Sequence, residues 1–259
     1  MMAVGRGSSF FDRMNERRTL RRWQRAAKSL DGLDADGLRS LRGQARGLRN
    51  ELDAVLRATQ SRLQAAFPDT VSPAQPPGSD WVWRPELWRA PVRPIGLAGA
   101  ENRAKLGHEL TLFHDCARSE ITLRQLRNTG ADTVAPYGLR MDVLGFDGSF
   151  LSLVIDLPES ALHGLQLNHL LRLEMDLALE RPLEIFCRLN IKHGPNHEQL
   201  VREMPGGEGA QFVEFDLAYT RMNEKRLEKA WVDIIFESPR LNEIELRDVT
   251  FARYPRAEI

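Results

Sequence analysis

The chain has 259 residues, 42% hydrophobic and 28% charged, with 36 Lys/Arg balanced by 36 Asp/Glu. This composition fits one or two globular units with an ordinary core. No apolar run approaches the roughly 20 residues of a membrane-spanning helix, and the opening MMAVGRGSSFFDRMNERR lacks the apolar stretch of about 7–15 residues that marks a secretory signal.

A cytoplasmic location is therefore expected. Cys116 and Cys187 stand far apart with no CxxC motif, which predicts reduced, partly buried thiols rather than a disulfide or a metal pair. The neutral total hides an asymmetry. Residues 1–66 carry fourteen Lys/Arg against seven Asp/Glu, and the remainder twenty-two against twenty-nine. Opposite signs predict two units with different partners, or one unit folded against the other.

In the first unit, a basic arm at 1–66, Leu20, Trp23, Ala27 and Leu30 recur at helical spacing. Arg18, Arg21, Arg22, Arg25 and Lys28 cover much of the rest of that helix. Asp31-Gly32 and Asp36-Gly37 interrupt it. Leu38, Leu41, Ala45, Leu48, Leu52 and Val55 then keep the 3-4 alternation of a heptad seam, which Thr59 and Arg62 end. The pattern predicts a helical hairpin or short coiled coil, with self-association through residues 38–63. Peripheral membrane contact by residues 13–28 is the alternative, since Leu20 and Trp23 lie opposite arginines. No aromatic-interleaved patch or helix-turn-helix pattern points to nucleic acid.

Residues 67–78, FPDTVSPAQPPG, hold four prolines and predict a semi-rigid spacer. WVWRPELW follows. Trp81 and Trp83 alternate with Val82 as on a strand, and Trp88 comes after Pro85 by a short turn. The segment 67–104 reads as a linker packing on the next domain, its tryptophans burying on the order of 200 Å² each. Trp88 is expected to be the most exposed of the three.

From residue 105 to 259 the apolar period becomes two. Leu139, Met141 and Val143 precede Asp147-Gly148, and Leu151, Leu153, Ile155 and Leu157 follow, which predicts a hairpin. A second pair, 171–179 and 183–191, surrounds Arg181-Pro182. Further strands are read at 213–219, 231–237 and 244–251, with weaker ones at 110–114 and 121–126. The apolar phase slips around Asp248, which predicts a bulge. Only 222–229 reads as a helix. About nine such strands predict a mostly β chain: an antiparallel, two-sheet, jelly-roll-like sandwich preceded by the helical arm.

An in-register second hairpin would set Arg188, Asn190 and Lys192 beside Arg172, Glu174 and Asp176, with Asp216, Trp231 and Asp233 extending the wall. The candidate ligand-binding set is Arg188, Asn190, Lys192, Glu174, Asp176, Trp231 and Asp233. Paired donors and acceptors around a ring suit a sugar, whose hydroxyls need both and whose CH face stacks. The competing reading is a solvated face of cross-strand charge pairs, each contributing a few tenths of a kcal/mol. His193 and His197 have ligand-like spacing, but Gly194-Pro195 between them predicts a turn. In His114-Asp115-Cys116 neighbouring side chains would point to opposite faces, so a Cys-His pair would need His169 or His108. The spacing of Glu174 and Asp176 meets the 5–10 Å or so of glycosidase carboxyls, as any acidic strand does. No GxGxxG, P-loop or GxSxG is present. No catalytic residue, metal site or cofactor is expected.

The stretches FDGSFLSLVIDLP, RPLEIFCRLNIKHGPN, VEFDLAYTRMNEKRLEKAWVDIIFE and LRDVTFARYPRAEI resemble an uncharacterised alphaproteobacterial (Rhodobacter-type) domain-of-unknown-function family. The resemblance covers most of residues 81–259 and implies no activity and no catalytic residue. The β pattern is more loosely similar to jelly-roll, carbohydrate-binding-like sandwiches, which implies a fold alone. These readings predict a non-catalytic binding protein whose sandwich recognises a polysaccharide or glycoconjugate, with an arm for oligomerisation or attachment. The alternative is a cytoplasmic protein–protein scaffold with no sugar ligand, and an enzyme ranks third.

Overall fold

Two periods of apolar recurrence divide the chain, and the folded elements follow them. A computed structural model describes residues 10–32, 34–66, 73, 75–129 and 135–256. It separates the chain into two units, Met1–Ala66 and Phe67–Ile259. The first holds α1 (Phe10–Lys28), a 3-10 turn (Leu30–Gly32) and α2 (Ala35–Ala66). Asp34 Oδ1 accepts the Gly37 N–H at 2.8 Å, which makes Asp34 the N-cap of α2. Asp36-Gly37 therefore lies inside the first turn of α2 and does not break it. Arg22 Nη2 donates to Gln44 Oε1 at 3.2 Å. Along the leucine stripe, Leu20, Leu30, Leu38, Leu48 and Leu52 are exposed, while Trp23 and Leu41 are half-buried. The side chains of Val55, Thr59 and Arg62, at the end of the seam, lie outside the described residues, as do residues 67–72 and 74 of the proline spacer.

The second unit contains β1 (Trp81–Trp83), α3 (Glu86–Arg89), β2 (Gly96–Leu97), β3 (Lys105–Leu106), β4 (Leu110–His114), β5 (Ile121–Arg127), β6 (Tyr137–Val143) and β7 (Leu151–Asp156). These are followed by β8 (His169–Leu179), β9 (Ile185–His193), β10 (Asn196–Glu203), β11 (Gly209–Asp216), β12 (Leu227–Phe236) and β13 (Asn242–Pro255). One sheet runs β11-β8-β13-β6-β5-β2, with β1 also pairing β13, and the other runs β10-β9-β12-β7-β4-β3. All pairings are antiparallel. Alternation puts Leu173, Met175, Val249 and Phe251 of the first sheet in the core with Leu153, Ile155, Val232 and Ile234 of the second, each fully buried.

Both expected long hairpins are overturned. The strands on either side of Asp147-Gly148, β6 and β7, lie in different sheets, and so do β8 and β9 around Arg181-Pro182. Each strand has one apolar face, and crossing between layers lets successive strands bury those faces against each other. Gly148 serves a close approach instead of a tight turn: a Cβ there would stand 2.5 Å from Asp115 Oδ1. Asp115 Oδ1 accepts the N–H groups of Ser149 at 2.6 Å and Phe150 at 3.2 Å. At the other crossing, Asn242 exchanges two hydrogen bonds with the backbone of Arg181, both 3.1 Å.

The helix expected at 222–229 is also absent. Asn223 caps a single 3-10 turn, accepting from the Lys225 N–H at 3.1 Å, and β12 begins at Leu227. Tyr219 falls in the 3-10 turn after β11, where it is exposed. The strand β10, read in sequence as part of a turn, pairs with β9 along its whole length.

The phase slip near Asp248 is a bulge, the register of β13 on β8 shifting between Leu246 and Asp248. Trp88 Nε1 donates to the Leu246 carbonyl at 2.9 Å, and Asn128 Nδ2 to the Arg247 carbonyl at 2.8 Å. Trp88 is thus fully buried, the reverse of its expected exposure, because the bulge offers its indole N–H a partner inside the core. Trp81 and Trp83 are half-buried and packed on the core, with Trp83 5.6 Å from Phe251 between centroids. Buried Gln125 holds the ladder-poor segment around α3: it donates to the carbonyls of Leu87 at 2.6 Å and Ala90 at 2.7 Å, and accepts the Val92 N–H at 2.9 Å.

Candidate functional site

The outward side chains of the second sheet fall into transverse rows. One row runs Gln199, Asn190, Trp231, Asp156 across β10, β9, β12 and β7. The next runs Val201, Arg188, Asp233, Val154, Thr111, Lys105 and reaches β3. All of these but Val201, with Phe113, Phe150, Ser152 and Ile235, line a groove of about 840 Å³.

Its floor is polar and closed on itself. Arg188 donates to Asp233 Oδ2 through Nε at 2.7 Å, and its Nη2 lies 2.6 Å from the same oxygen. Asn190 Nδ2 donates to Asp233 Oδ2 at 3.1 Å, while Asn190 Oδ1 accepts from Gln199 Nε2 at 2.9 Å. Asn190 and Asp233 are only 1% and 4% exposed, although both sit on the outward face of the sheet. Lys192 pairs with Glu228 at 2.6 Å and Lys229 with Asp156 at 2.8 Å. The Lys192 ammonium holds the Glu228 carboxyl below the usual carboxylate range. Trp231 is half-buried, with His197 edge-on at 6.0 Å and Lys229 Nζ 5.6 Å from its centroid. Neither Trp231 Nε1 nor Asp233 Oδ1 has a hydrogen-bond partner among the described residues.

Five residues of the candidate set, Arg188, Asn190, Lys192, Trp231 and Asp233, meet here. Glu174 and Asp176 do not. They lie on β8, in the other sheet, because β8 and β9 are not a hairpin. Their neighbour Arg172 pairs with Glu214 at 2.7 Å and lies over the rings of Phe212 and Tyr254 at 4.3 and 4.9 Å. Asp216, at the end of β11 in that sheet, pairs with Arg256 at 3.2 Å. Sequence reading missed Arg103, Lys105, Phe113, Phe150 and Gln199 at the groove. Lys105, Phe113 and Gln199 are placed by the register across β3, β4, β7, β9 and β10, while Arg103 lies in the turn before β3 and Phe150 just before β7, where no periodicity could reveal them.

The other candidates separate. Lys192 faces outward with its cross-strand partner His197, whereas His193 is buried and its Nδ1 accepts the Asn223 N–H at 3.2 Å. Among the described residues no three His, Cys, Asp or Glu side chains gather as metal ligands. His114 is held between the Ala100 carbonyl at 3.0 Å and the Cys116 N–H at 3.2 Å. Burial raises the thiol pKa of Cys116 and pushes that of Cys187 up to about 12, which keeps both protonated and weakly nucleophilic.

Several solved structures resemble this fold. The family 11 carbohydrate-binding module from Clostridium thermocellum, in complex with a mixed-linked tetrasaccharide, has a TM-score of 0.39 at 10% identity, covering 64% of this chain and 97% of that one. A xylan-binding domain from Paenibacillus barcinonensis has a TM-score of 0.35 at 6% identity, covering 63% and 95%. The enzymatically active domain of a tailspike protein from bacteriophage CBA120 scores 0.37 at 8% identity, the match covering 54% of this chain and 18% of that one. At such scores the likeness carries no argument about a ligand. No curated protein sequence matches the chain. A family profile does match, over residues 2–259, and the chain accordingly belongs to DUF6478, a family of unknown function.

Proposed function

We propose that the groove on the second sheet binds a polysaccharide or glycoconjugate, without chemistry. The observation that carries this reading is a floor of polar side chains satisfied by one another beside the half-buried ring of Trp231. Asn190, Gln199, Arg188 and Asp233 are locked by their own hydrogen bonds, so they are pre-organised and lose little freedom on binding. The Trp231 ring remains for a CH face. Asp156 and Asp233, the carboxylates lining the groove, are each closed in an ion pair. That arrangement suits holding a ligand better than donating a proton.

Trp231→Ala tests it. Removing a stacking ring costs about 1–3 kcal/mol by analogy with base–aromatic stacks, or roughly a 5- to 150-fold loss of affinity. Glycan-array binding of the full chain should fall by that factor while the melting temperature stays within a few degrees. Wild-type protein that binds no bacterial or plant polysaccharide removes the proposal. Asn190→Ala is the poorer probe, since it would strip partners from Asp233 and Gln199 and perturb the fold.

A second reading concerns the arm. The 3-4 heptad spacing of its apolar residues, with Leu38, Leu48 and Leu52 exposed, supports self-association through residues 38–63, with the basic face left to solvent or to an attachment surface.

A further inference from the structure

Five cations line the groove: Arg103, Lys105, Arg188, Lys192 and Lys229. Three are closed in ion pairs, Arg188 with Asp233, Lys192 with Glu228 and Lys229 with Asp156. Arg103 and Lys105 have no carboxylate partner among the described residues. Lys105 ends the row that contains Arg188 and Asp233, four strand spacings from Arg188, or about 19 Å at the usual separation of paired strands. The groove is thus long enough for an oligomer, with its charge balanced at one end and uncompensated at the other.

The backbone at the uncompensated end is held in an uncommon state. Arg103 has φ +66°, in the left-handed region that non-glycine residues rarely occupy. Two hydrogen bonds hold it there: the Arg103 N–H donates to the Leu112 carbonyl at 2.8 Å, and the Leu112 N–H to the Ala104 carbonyl at 2.8 Å. Strain of this kind persists where the surroundings over-determine it, and it concentrates at binding sites. Phe113, Val154 and Ile235 furnish the apolar lining of the same groove. A neutral hydroxyl there would accept hydrogen bonds from the two cations without balancing their charge, whereas an oxyanion would form the stronger charge-assisted hydrogen bonds to both.

We infer that the ligand of this groove is an acidic glycan, with a carboxylate, phosphate or sulfate group against Arg103 and Lys105 and neutral ring faces at Trp231. This rests on the glycan-binding reading above. The experiment is titration calorimetry of the full-length protein with three probes: oligogalacturonate, dextran sulfate and a neutral xylo-oligosaccharide. Arg103→Gln/Lys105→Gln should weaken binding of at least one acidic probe by about tenfold or more. Both side chains are exposed, so the melting temperature should not move. Arg18→Gln/Arg21→Gln, which removes two arm cations, should change affinity less than about twofold.

Xylo-oligosaccharide bound as tightly as the acidic probes, with the groove double variant unaffected, would overturn this inference and leave the groove reading intact. Equal losses in the groove and arm variants would overturn it too, by showing diffuse attraction of a polyanion to basic surface. No binding of any probe, extended to the polysaccharide array, removes the groove reading and this inference together.

Discussion

Arg84 is 3% exposed and grips Asp248 with two hydrogen bonds, Nε to Oδ1 at 2.8 Å and Nη2 to Oδ2 at 2.7 Å. Burial raises the pKa of the Asp248 carboxyl, with Arg84 acting against that shift. Replacing one member of such a pair strands the other charge. Arg84→Met should therefore destabilise the sandwich by about 3–5 kcal/mol, read as a lower denaturant midpoint with an unchanged slope. A loss under about 1 kcal/mol would mean that the pair is effectively solvated. His169 provides a pH readout. It is buried, its Nδ1 accepts the Gln166 N–H at 2.9 Å, and desolvation followed by the nearby Arg253 charge depresses its pKa below 6.5. A depressed histidine contributes stability that is present above its unfolded pKa and lost as pH falls through its folded one. Denaturation midpoints should decline on going from pH 7.5 into the range below 6.5, and His169→Gln should flatten that decline. An identical decline in both proteins would assign the effect to other groups.

At the scale of elements, the bulge in β13 ties three segments together. It frees the Leu246 and Arg247 carbonyls, and these take donors from Trp88 and Asn128. The backbone passes so close at this point that a Cβ on Gly138 would lie 3.1 Å from the Leu246 carbonyl oxygen. The helices behave differently. In α2 the stripe Leu38, Leu48 and Leu52 is exposed, and a helix of this length keeps an apolar seam only if something covers it. Leu48→Asp/Leu52→Asp should shift full-length protein from dimer to monomer in light scattering. Wild-type protein that is already monomeric at micromolar concentration ends the self-association reading.

For the molecule as a whole, residues 67–259 contain a complete two-layer core. Deleting residues 1–66 should leave a cooperative unfolding transition within about 3 °C of the full chain, and should leave groove binding intact while abolishing self-association. Collapse of the transition would show that the sandwich borrows stability from the arm.

Sequence by itself determined the local rules. A period of two marked the strands, a period of 3.6 marked the arm, the slip at Asp248 marked the bulge, and the spacing of Arg188, Asn190, Lys192, Trp231 and Asp233 put polar groups on one face of two strands. Each of these follows from backbone geometry within a few residues. Tertiary structure alone decided which strands are neighbours. At Asp147-Gly148 the chain crosses to the other layer instead of turning back, and the loop is fixed there by Asp115, over thirty residues away in sequence. The same choice sent Glu174 and Asp176 to the far sheet, brought Arg103 and Lys105 to the groove, and buried Trp88 where the bulge needed a donor. Alternation tells a side chain which face it occupies, but pairing between distant strands sets what lies beside it, because that pairing is governed by the burial of whole faces.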